Sequence, residues 1–264
     1  MNKIPLFLSL LLFACGNNNQ KVATVLAQTP QQETVINSDG IAIETLATQF
    51  DSVNTLVRDG KIDKAQVLKD LQRILPELKT VYNCLKSNTA KQEKLIFPVA
   101  GYSSKAIGGT HGEGYIPNGY DYFAGNKHGG HPAHDIFIVD KNQDSKDDRT
   151  GKFVNVLSVS DGIVVALEQK WDSTSTLRGG KYIWIYAPAG NALYYYAHNN
   201  EVFVNVGQIV NAGDKIATVG RTGLNAYKKR SPSHLHFMKL VLDKEFYPKP
   251  VDTYKELLKY ESNY

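Results

Sequence analysis

From Leu95 onward the chain consists of short runs of β-branched and aromatic residues separated by turn-forming dipeptides. Asp-Gly, Gly-Gly, Ala-Gly and Asn-Asn stand between many of the runs, and such dipeptides favour tight turns. The spacing predicts an all-β sandwich or a barrel-like sheet domain. The predicted strands are Ile136 to Val139, Gly162 to Leu167, Tyr182 to Tyr186, Ala192 to Ala197 and Lys215 to Val219.

Residues 39–90 have a helical pattern and are predicted to form an α-helical hairpin. Arg58-Asp59-Gly60 is typical of the turn between two helices, Asp63 can cap the second helix, and Pro76 is expected to kink or split it. Because a two-helix hairpin cannot bury its apolar stripe alone, we expect it to pack on the following domain or on an envelope protein partner. The stripe consists of Leu68, Leu71, Leu75, Leu78 and Tyr82.

The first residues are predicted to direct export. Lys3 is followed by an apolar run from Ile4 to Phe13, which is too short to span a bilayer as a stable helix. The tetrapeptide that ends at Cys15 resembles a bacterial lipobox, which implies cleavage before Cys15 and its lipidation. The alternative is an ordinary signal peptide with an incidental cysteine. The prediction is a lipoprotein signal peptide over residues 1–15, a flexible tether over residues 16–38, and a membrane-anchored protein that faces the periplasm.

The composition is that of a globular protein. Hydrophobic residues make up 42% of the 264 residues and charged residues 21%, which excludes a largely disordered chain. The formal net charge of +4 is mild for this length, so it does not indicate nucleic acid as a partner.

Three groups of histidines provide candidate functional residues. His131 precedes Asp135 by four positions, but Gly130 and Pro132 argue against a helix, so His131 is expected to fold back from a loop toward Asp135. His234 and His236 are two residues apart on a predicted strand, so both imidazoles should project from one face.

The third group is the run Tyr194-Tyr195-Tyr196-Ala197-His198. Strand alternation predicts that Tyr194, Tyr196 and His198 share one face. A single histidine at the end of a strand is more often structural than functional, so His198 is weak evidence on its own.

Together these residues resemble the lysostaphin-type (LytM-like) zinc peptidases of bacterial cell walls. The family pattern is His-x-x-x-Asp, then a single histidine at a strand end, then His-x-His, and this chain has all three in order. The resemblance covers roughly residues 95–245. Its motifs are His131 to Asp135, Asp161 to Val164, Tyr196 to His198, Val206 to Ala217, Gly220 to Gly223 and Ser233 to Phe237.

The resemblance implies a fold, a cofactor and an activity. The fold is a lysostaphin-like antiparallel β-sheet of the duplicated-hybrid-motif, barrel-sandwich type, here a zinc peptidase domain over residues 91–264. One Zn²⁺ per chain would be bound by His131, Asp135 and His236. His198 and His234 would be the catalytic residues that move the proton and donate hydrogen bonds. The implied substrate is peptidoglycan, cut in its stem peptides or cross-bridges.

One departure from the family pattern concerns the first motif. The family usually has glycine two residues after the first ligand, whereas this chain has Ala133, followed by His134. His134 is therefore a competing ligand, although strand alternation relative to Asp135 disfavours it. A rival hypothesis is a non-catalytic envelope regulator that activates another wall hydrolase through the hairpin, and a third is a peptidase of other secreted proteins.

Three further segments have two interpretations each. The stretch from Gly108 to Gly130, which contains His111 and His128, is either a mobile wall of the substrate groove or an ordinary packed loop. The stretch from Asp140 to Asp148 resembles the start of a calcium loop, but a solvated hairpin tip is the favoured interpretation. The basic run from Lys228 to Arg230 either meets acidic stem peptides or is a solvated loop.

Overall fold

The structure is a computed structural model that describes residues 38–86 and 95–260. The predicted signal peptide with Cys15, and all of the predicted tether except its last residue, lie outside the described residues. Within the described part, no helix is both long and apolar enough to cross a membrane. The described residues belong to one compact unit.

Two long helices form the predicted hairpin. The first, α1 (Ser38–Arg58), and the second, α2 (Lys64–Lys86), are joined by a turn in which Gly60 has a φ of 66°. Asp63 accepts a hydrogen bond from the Gln66 amide at 3.0 Å, so the predicted cap is confirmed. Pro76 lies inside α2, which continues without a break, so of the two predicted effects, a kink or a split, the split does not occur. The buried residues on both sides of Pro76, including Ile74 and Leu78, hold the helix across the lost hydrogen bond.

The rest of the described chain is mainly antiparallel β-structure, as predicted. A seven-stranded sheet has the order β1-β11-β7-β6-β5-β9, with β12 paired to β11, and a three-stranded sheet has the order β4-β10-β8. A small hairpin joins β2 and β3, and one turn of helix, α3 (Tyr254–Leu257), follows the last strand. The strands are β1 (His134–Phe137), β2 (Lys146–Asp147), β3 (Lys152–Phe153), β4 (Asn155–Leu157), β5 (Gly162–Glu168), β6 (Tyr182–Ala187), β7 (Ala192–Ala197), β8 (Asn199–Val202), β9 (Ile209–Val210), β10 (Lys215–Val219), β11 (His234–Leu242) and β12 (Pro248–Val251).

Each face of the large sheet has its own apolar core. On one face, Tyr196, Leu235 and Phe237 pack with residues of the three-stranded sheet. On the other face, Trp184 and Met238 belong to the same buried cluster as four of the five predicted stripe residues, Leu71, Leu75, Leu78 and Tyr82. Leu68 is only partly buried and lies outside this cluster, so its inclusion in the stripe is wrong, and the neighbouring Val67 is buried there instead. The hairpin therefore buries its apolar stripe against the sheet that follows it in the chain. This is one of the two predicted packing alternatives.

The hairpin lies on the sheet face from which His236 projects. Along β11, residues 236, 238, 240 and 242 alternate onto that face, and the last three belong to the cluster shared with the hairpin. Helix α1 also contacts a 3₁₀ segment at Tyr122–Lys127. The approach is close at Gly125, where an added Cβ would lie 2.0 Å from the Val57 carbonyl oxygen. The fold thus places the hairpin beside the histidines.

Candidate metal centre

Strand register brings Asp135 and His236 together. Asp135 on β1 stands directly opposite His236 on β11, and the two side chains meet with 3.1 Å between Asp135 Oδ1 and His236 Nδ1. Opposed residues of an antiparallel pair lie on the same face of the sheet, so the pairing alone fixes this contact. Leu235, which lies between the two histidines of β11, is directed into the core beneath.

His131 reaches the same carboxylate from a loop. It forms an isolated bridge with Ile116 just before β1, and its Nε2 lies 3.2 Å from Asp135 Oδ1. Its Nδ1 lies 2.7 Å from the Gly114 carbonyl oxygen. The expected loop geometry is confirmed, since the segment between His131 and Asp135 is not helical.

The donor atoms of these three side chains suit a metal cation. One nitrogen of His131, one of His236 and one oxygen of Asp135 all lie within 4.8 Å of one another. Because a carbonyl only accepts, His131 must donate from Nδ1 to Gly114, and a neutral ring then directs its Nε2 lone pair at the carboxylate. The Nε2 lone pair of His131 and the carboxylate oxygen of Asp135 are both acceptors, so a positive charge between them is needed to stabilise this contact. Nitrogen and oxygen ligands bound tetrahedrally at the usual zinc distances are separated by about 3.3 Å, close to the contacts observed here.

Two further imidazoles lie beside these side chains. His234 donates from Nδ1 to the Pro232 carbonyl at 2.7 Å, and its Nε2 lies 3.7 Å from Asp135 Oδ1. His198 donates from Nδ1 to the Thr222 carbonyl at 2.7 Å. The ring centroid of His198 lies 4.9 Å from that of His234 and 5.4 Å from that of His236.

The predicted orientation of His198 is wrong. Tyr194 and Tyr196 face the core between the two sheets, whereas His198 faces the other way, toward His234 and His236. His198 follows the last residue of β7 and has a φ of 66°, so strand alternation ends before it. Gly223 leaves room for the ring, since an added Cβ there would lie 2.8 Å from His198 Nδ1.

The protonation states follow from burial and from Asp135. Burial raises the pKa of Asp135, but its contacts with His131 and His236 outweigh this and hold the pKa well below the ordinary value. Burial lowers the pKa of His198 well below the ordinary value, and the neighbouring His234 lowers it further. Burial also lowers the pKa of His236 despite Asp135. Near neutral pH, Asp135 is a carboxylate and the rings of His198 and His236 are neutral.

The five side chains line one open cleft of about 250 Å³. Its walls also include Arg178, Tyr195 and Asn225. Within the described residues, His131, Asp135 and His236 are the only group of histidine, cysteine and acidic side chains close enough together to hold a metal ion.

The remaining histidines are not part of the metal-binding group. His134 points away from the cleft, is buried, and contacts Asp252 Oδ1 at 2.9 Å, so strand alternation correctly disfavours it as a ligand. His111 is exposed. His128 is half-buried and lines the cleft, but it is not part of the metal-binding group.

The acidic stretch from Asp140 to Asp148 uses its carboxylates internally. Asp140 accepts hydrogen bonds from the Ser145 amide at 2.8 Å and from the Ser233 hydroxyl. Asp147 pairs with Arg149 at 2.5 Å. These contacts order the loop around β2 and β3 and leave it outside any metal-binding group of the described residues.

The segment from Gly108 to Gly130 is both packed and part of the wall. Tyr122 is buried in the core that the hairpin shares with the sheet, while His128 and Gly130 line the cleft. The basic run after Tyr227 belongs to a loop held by Arg221, whose guanidinium donates to the carbonyls of Lys228 and Ser231 at 3.0 and 2.6 Å.

The sequence patterns did not predict that Arg178 and Tyr195 line the cleft. Arg178 belongs to no recognisable motif, and its only signal is a Gly-Gly pair immediately before β6. Tyr195 was identifiable in principle, because alternation on β7 places it opposite to the core-facing Tyr194 and Tyr196.

Comparison with known proteins gives a family match inside the β-domain. Residues 146–248 match the sequence profile described as peptidase family M23. His198, His234 and His236 lie within the matched stretch, whereas His131 and Asp135 precede it.

Several solved structures are similar. The catalytic domain of lysostaphin, an antimicrobial peptidase from Staphylococcus simulans, is 24% identical; the match covers 55% of this chain and 86% of that domain, with a TM-score of 0.36. A putative glycyl-glycine endopeptidase lytM from Ruminococcus gnavus is 20% identical over 84% of this chain and 85% of its own, with a TM-score of 0.43. A zinc-containing peptidase from Vibrio cholerae is 23% identical over 64% of this chain but only 41% of its own, with a TM-score of 0.38.

Proposed function

We propose that this chain, which carries a peptidase family M23 domain, is a zinc-dependent endopeptidase that hydrolyses peptide bonds in peptidoglycan. One observation carries the proposal. The cleft combines three side chains suited to bind a metal with two further imidazoles whose Nδ1 atoms are bound to backbone carbonyls. A purely structural cluster would not need two oriented imidazoles beside a metal-binding group.

His131, Asp135 and His236 would bind the zinc ion. Three protein ligands are typical of catalytic zinc, whereas structural zinc sites are closed by four. When bound, zinc supplies Lewis acidity that polarises the scissile carbonyl and makes a water molecule more acidic. The Gly114 carbonyl fixes the ring of His131, as expected of a partner behind a metal ligand.

His198 and His234 have a different role. Each donates its Nδ1 hydrogen to a backbone carbonyl, so in the neutral ring Nε2 carries a lone pair. At Nε2, one ring can take a proton from the attacking water and pass it to the leaving amine. The other can, once protonated, donate a hydrogen bond to the negatively charged oxygen that develops on the carbonyl. Replacement of either residue should therefore slow hydrolysis without removing the metal.

The proposal includes a location in the cell envelope. The amino-terminal sequence resembles a lipoprotein signal, so the enzyme is anchored through lipidated Cys15 and faces the periplasm, where peptidoglycan is accessible. Metabolic labelling with a fatty acid tests this step. Label in the wild type but not in the Cys15→Ser variant supports the anchor, and label in neither contradicts it.

Digestion of peptidoglycan tests the activity. The chain with Cys15→Ser is incubated with purified peptidoglycans that contain either direct or glycine cross-links, and new amino termini and released fragments are identified by mass spectrometry. We expect peptide fragments that disappear with a chelator and return with added zinc. Zinc-loaded protein that cleaves neither wall type would contradict the proposal and favour the non-catalytic regulator, for which the hairpin would provide the contact surface.

A further inference from the structure

Arg178 is a positively charged residue in the cleft wall. It lines the metal-centre cleft and also an adjoining cavity that extends toward Asn54 and Arg58 of α1. His128, Gly179 and Tyr195 are likewise shared by both spaces. Arg178 therefore lies between the candidate metal centre and the part of the sheet face that the hairpin covers.

The backbone and side chain of Arg178 are held in place without a counter-charge. Its amide donates to Asn126 Oδ1 at 3.0 Å, and its Nη1 donates to the His128 carbonyl at 2.5 Å. Among the described residues, no carboxylate lies within ion-pair distance of its guanidinium, and Nε and Nη2 have no hydrogen-bond partner. Arg58 offers a contrast, because it is paired with Asp59 and Glu168 at 2.9 and 3.0 Å.

Tyr195 adds a second donor at the same place. Its hydroxyl lies against the residue that follows Arg178, since an added Cβ at Gly179 would be 2.0 Å from Tyr195 Oη. Its ring is fixed between Trp184, with centroids 4.5 Å apart, and His236, at 6.1 Å. Within the described part of the chain, this hydroxyl has no hydrogen-bond partner.

The charges in the cleft favour an anionic ligand. Asp135 is the only carboxylate among the described residues that line it, and Asp135 is already in contact with His131, His234 and His236. A guanidinium that keeps free N–H groups is well suited to a carboxylate, which it can bind through two parallel hydrogen bonds. Glycine bridges carry no side-chain charge and would leave Arg178 without a partner.

We propose that Arg178, assisted by the Tyr195 hydroxyl, binds a free carboxylate of the substrate next to the bond that is cleaved. This rests on the proposed function and narrows its substrate class to acidic stem-peptide cross-links, as opposed to glycine bridges. Arg178 is then a residue that determines specificity, since it touches the substrate but not the reacting atoms.

Matched substrates test this specificity. A cross-linked stem-peptide dimer with free carboxylates is compared with the same dimer after conversion of its carboxylates to carboxamides, and kcat/KM is measured for each. We expect the wild type to prefer the free acid by about 10- to 100-fold, the range of a hydrogen bond to a charged group. The Arg178→Gln variant should bring that ratio close to one, whereas Tyr195→Phe should reduce it by a smaller factor.

A charge-matched control separates local binding from a general change in net charge. Arg73→Gln also removes one positive charge, but from an exposed position on α2 that lines neither space, and the preference should remain that of the wild type. If Arg178→Gln does not fold, Arg178→Lys is measured instead. Lysine keeps the positive charge but lacks the planar guanidinium, so this variant should retain only part of the preference for the free acid. A wild type with equal kcat/KM on both dimers, or an unchanged ratio in the Arg178 variants, would overturn the proposal.

Binding measurements distinguish failure of this proposal from failure of the proposed function. The affinity of both dimers for the His234→Ala protein is measured by isothermal titration calorimetry, with and without Arg178→Gln. Preferential binding of the free acid that depends on Arg178 supports the carboxylate site even if the wild type cleaves neither dimer. Equal affinities contradict it even if cleavage is observed.

Discussion

At the scale of single residues, the backbone orients the imidazoles of the cleft. The rings of His131, His198 and His234 each place Nδ1 2.7 Å from a backbone carbonyl, those of Gly114, Thr222 and Pro232 respectively. A carbonyl that accepts from one ring nitrogen sets the tautomer and turns the other nitrogen toward the cleft. The arrangement is therefore built into the chain and does not depend on side chains that could rotate away.

The two histidines outside the metal-binding group should be separable from metal binding. His234→Ala and His198→Ala should lower kcat/KM by about 10²- to 10⁴-fold, because each removes a group that moves or donates a proton. Zinc content should stay at the wild-type value. Activity and zinc are measured on the same preparations, and full activity in His234→Ala would show that the role assigned to it is wrong.

Gly223 should be required for the position of His198. A Cβ at Gly223 would lie 2.4 Å from the Arg178 carbonyl oxygen and 2.8 Å from His198 Nδ1, and the φ of 116° disfavours any side chain. Gly223→Ala should therefore reduce activity at least about tenfold, because a displacement of about 1 Å at a reacting group can cost about a hundredfold. Circular dichroism checks that the fold is kept.

Gly151→Ala is the matched control, because Gly151 also has a positive φ, of 67°, but an added Cβ there would meet nothing within 4 Å. Its activity should equal that of the wild type. Equal losses in both variants would mean that general destabilisation, and not the position of His198, is responsible.

The sequence predicted which histidines meet, but not how each is oriented. His234 and His236 could be assigned to one face because they lie within a regular strand. His198 could not, because its positive φ ends the alternation at the residue that matters. The position of Arg178 in the cleft was not predicted, because the sequence does not show which surfaces a single arginine in a loop will contact.

At the scale of secondary structure, the hairpin is part of the core of the sheet. Phe50 of α1 and Ile74 of α2 are fully buried in the same cluster as Trp184 and Leu240 of the sheet. Removal of the hairpin would expose a contiguous apolar face, which soluble proteins seldom tolerate. We therefore expect hairpin and sheet to unfold together.

A substitution in α2 tests this coupling. Ile74→Ala should lower the free energy of unfolding by about 2–5 kcal/mol, the usual cost of truncating a buried isoleucine. Urea unfolding is followed both by helical circular dichroism and by tryptophan fluorescence, and the two transitions should shift together. Glu77→Ala, an exposed position on the same helix, should change stability by less than about 0.5 kcal/mol. Separate transitions, or a folded and soluble fragment of residues 91–264, would contradict a shared core.

Most of the long strands could be predicted from the sequence. The runs predicted at Tyr182 and Ala192 became β6 and β7, and the antiparallel fold follows from their spacing. β9 has only two residues, and β12 contains Pro248 and Pro250, so neither has a clear strand signal. Proline is tolerated in β12 because this strand lies at the side of the sheet and pairs only with β11.

At the scale of the whole molecule, the cleft forms where separate parts of the chain meet. β1 and the loop before it supply Asp135 and His131, β11 supplies His234 and His236, and the segment before β6 supplies Arg178. The hairpin covers the remainder of the same sheet face. The positions of these parts place a metal-binding group, two oriented imidazoles and the guanidinium of Arg178 in one open space.

The central claim is that this cleft is a catalytic zinc site, and zinc content measured together with cleavage tests it most directly. Wild-type and His236→Ala proteins are analysed for zinc per chain, and each sample is then incubated with purified peptidoglycan. We expect about one zinc per wild-type chain together with release of new amino termini, and loss of both in His236→Ala. A wild type that cleaves peptidoglycan fully without zinc, or a His236→Ala variant that keeps both zinc and activity, would contradict the claim.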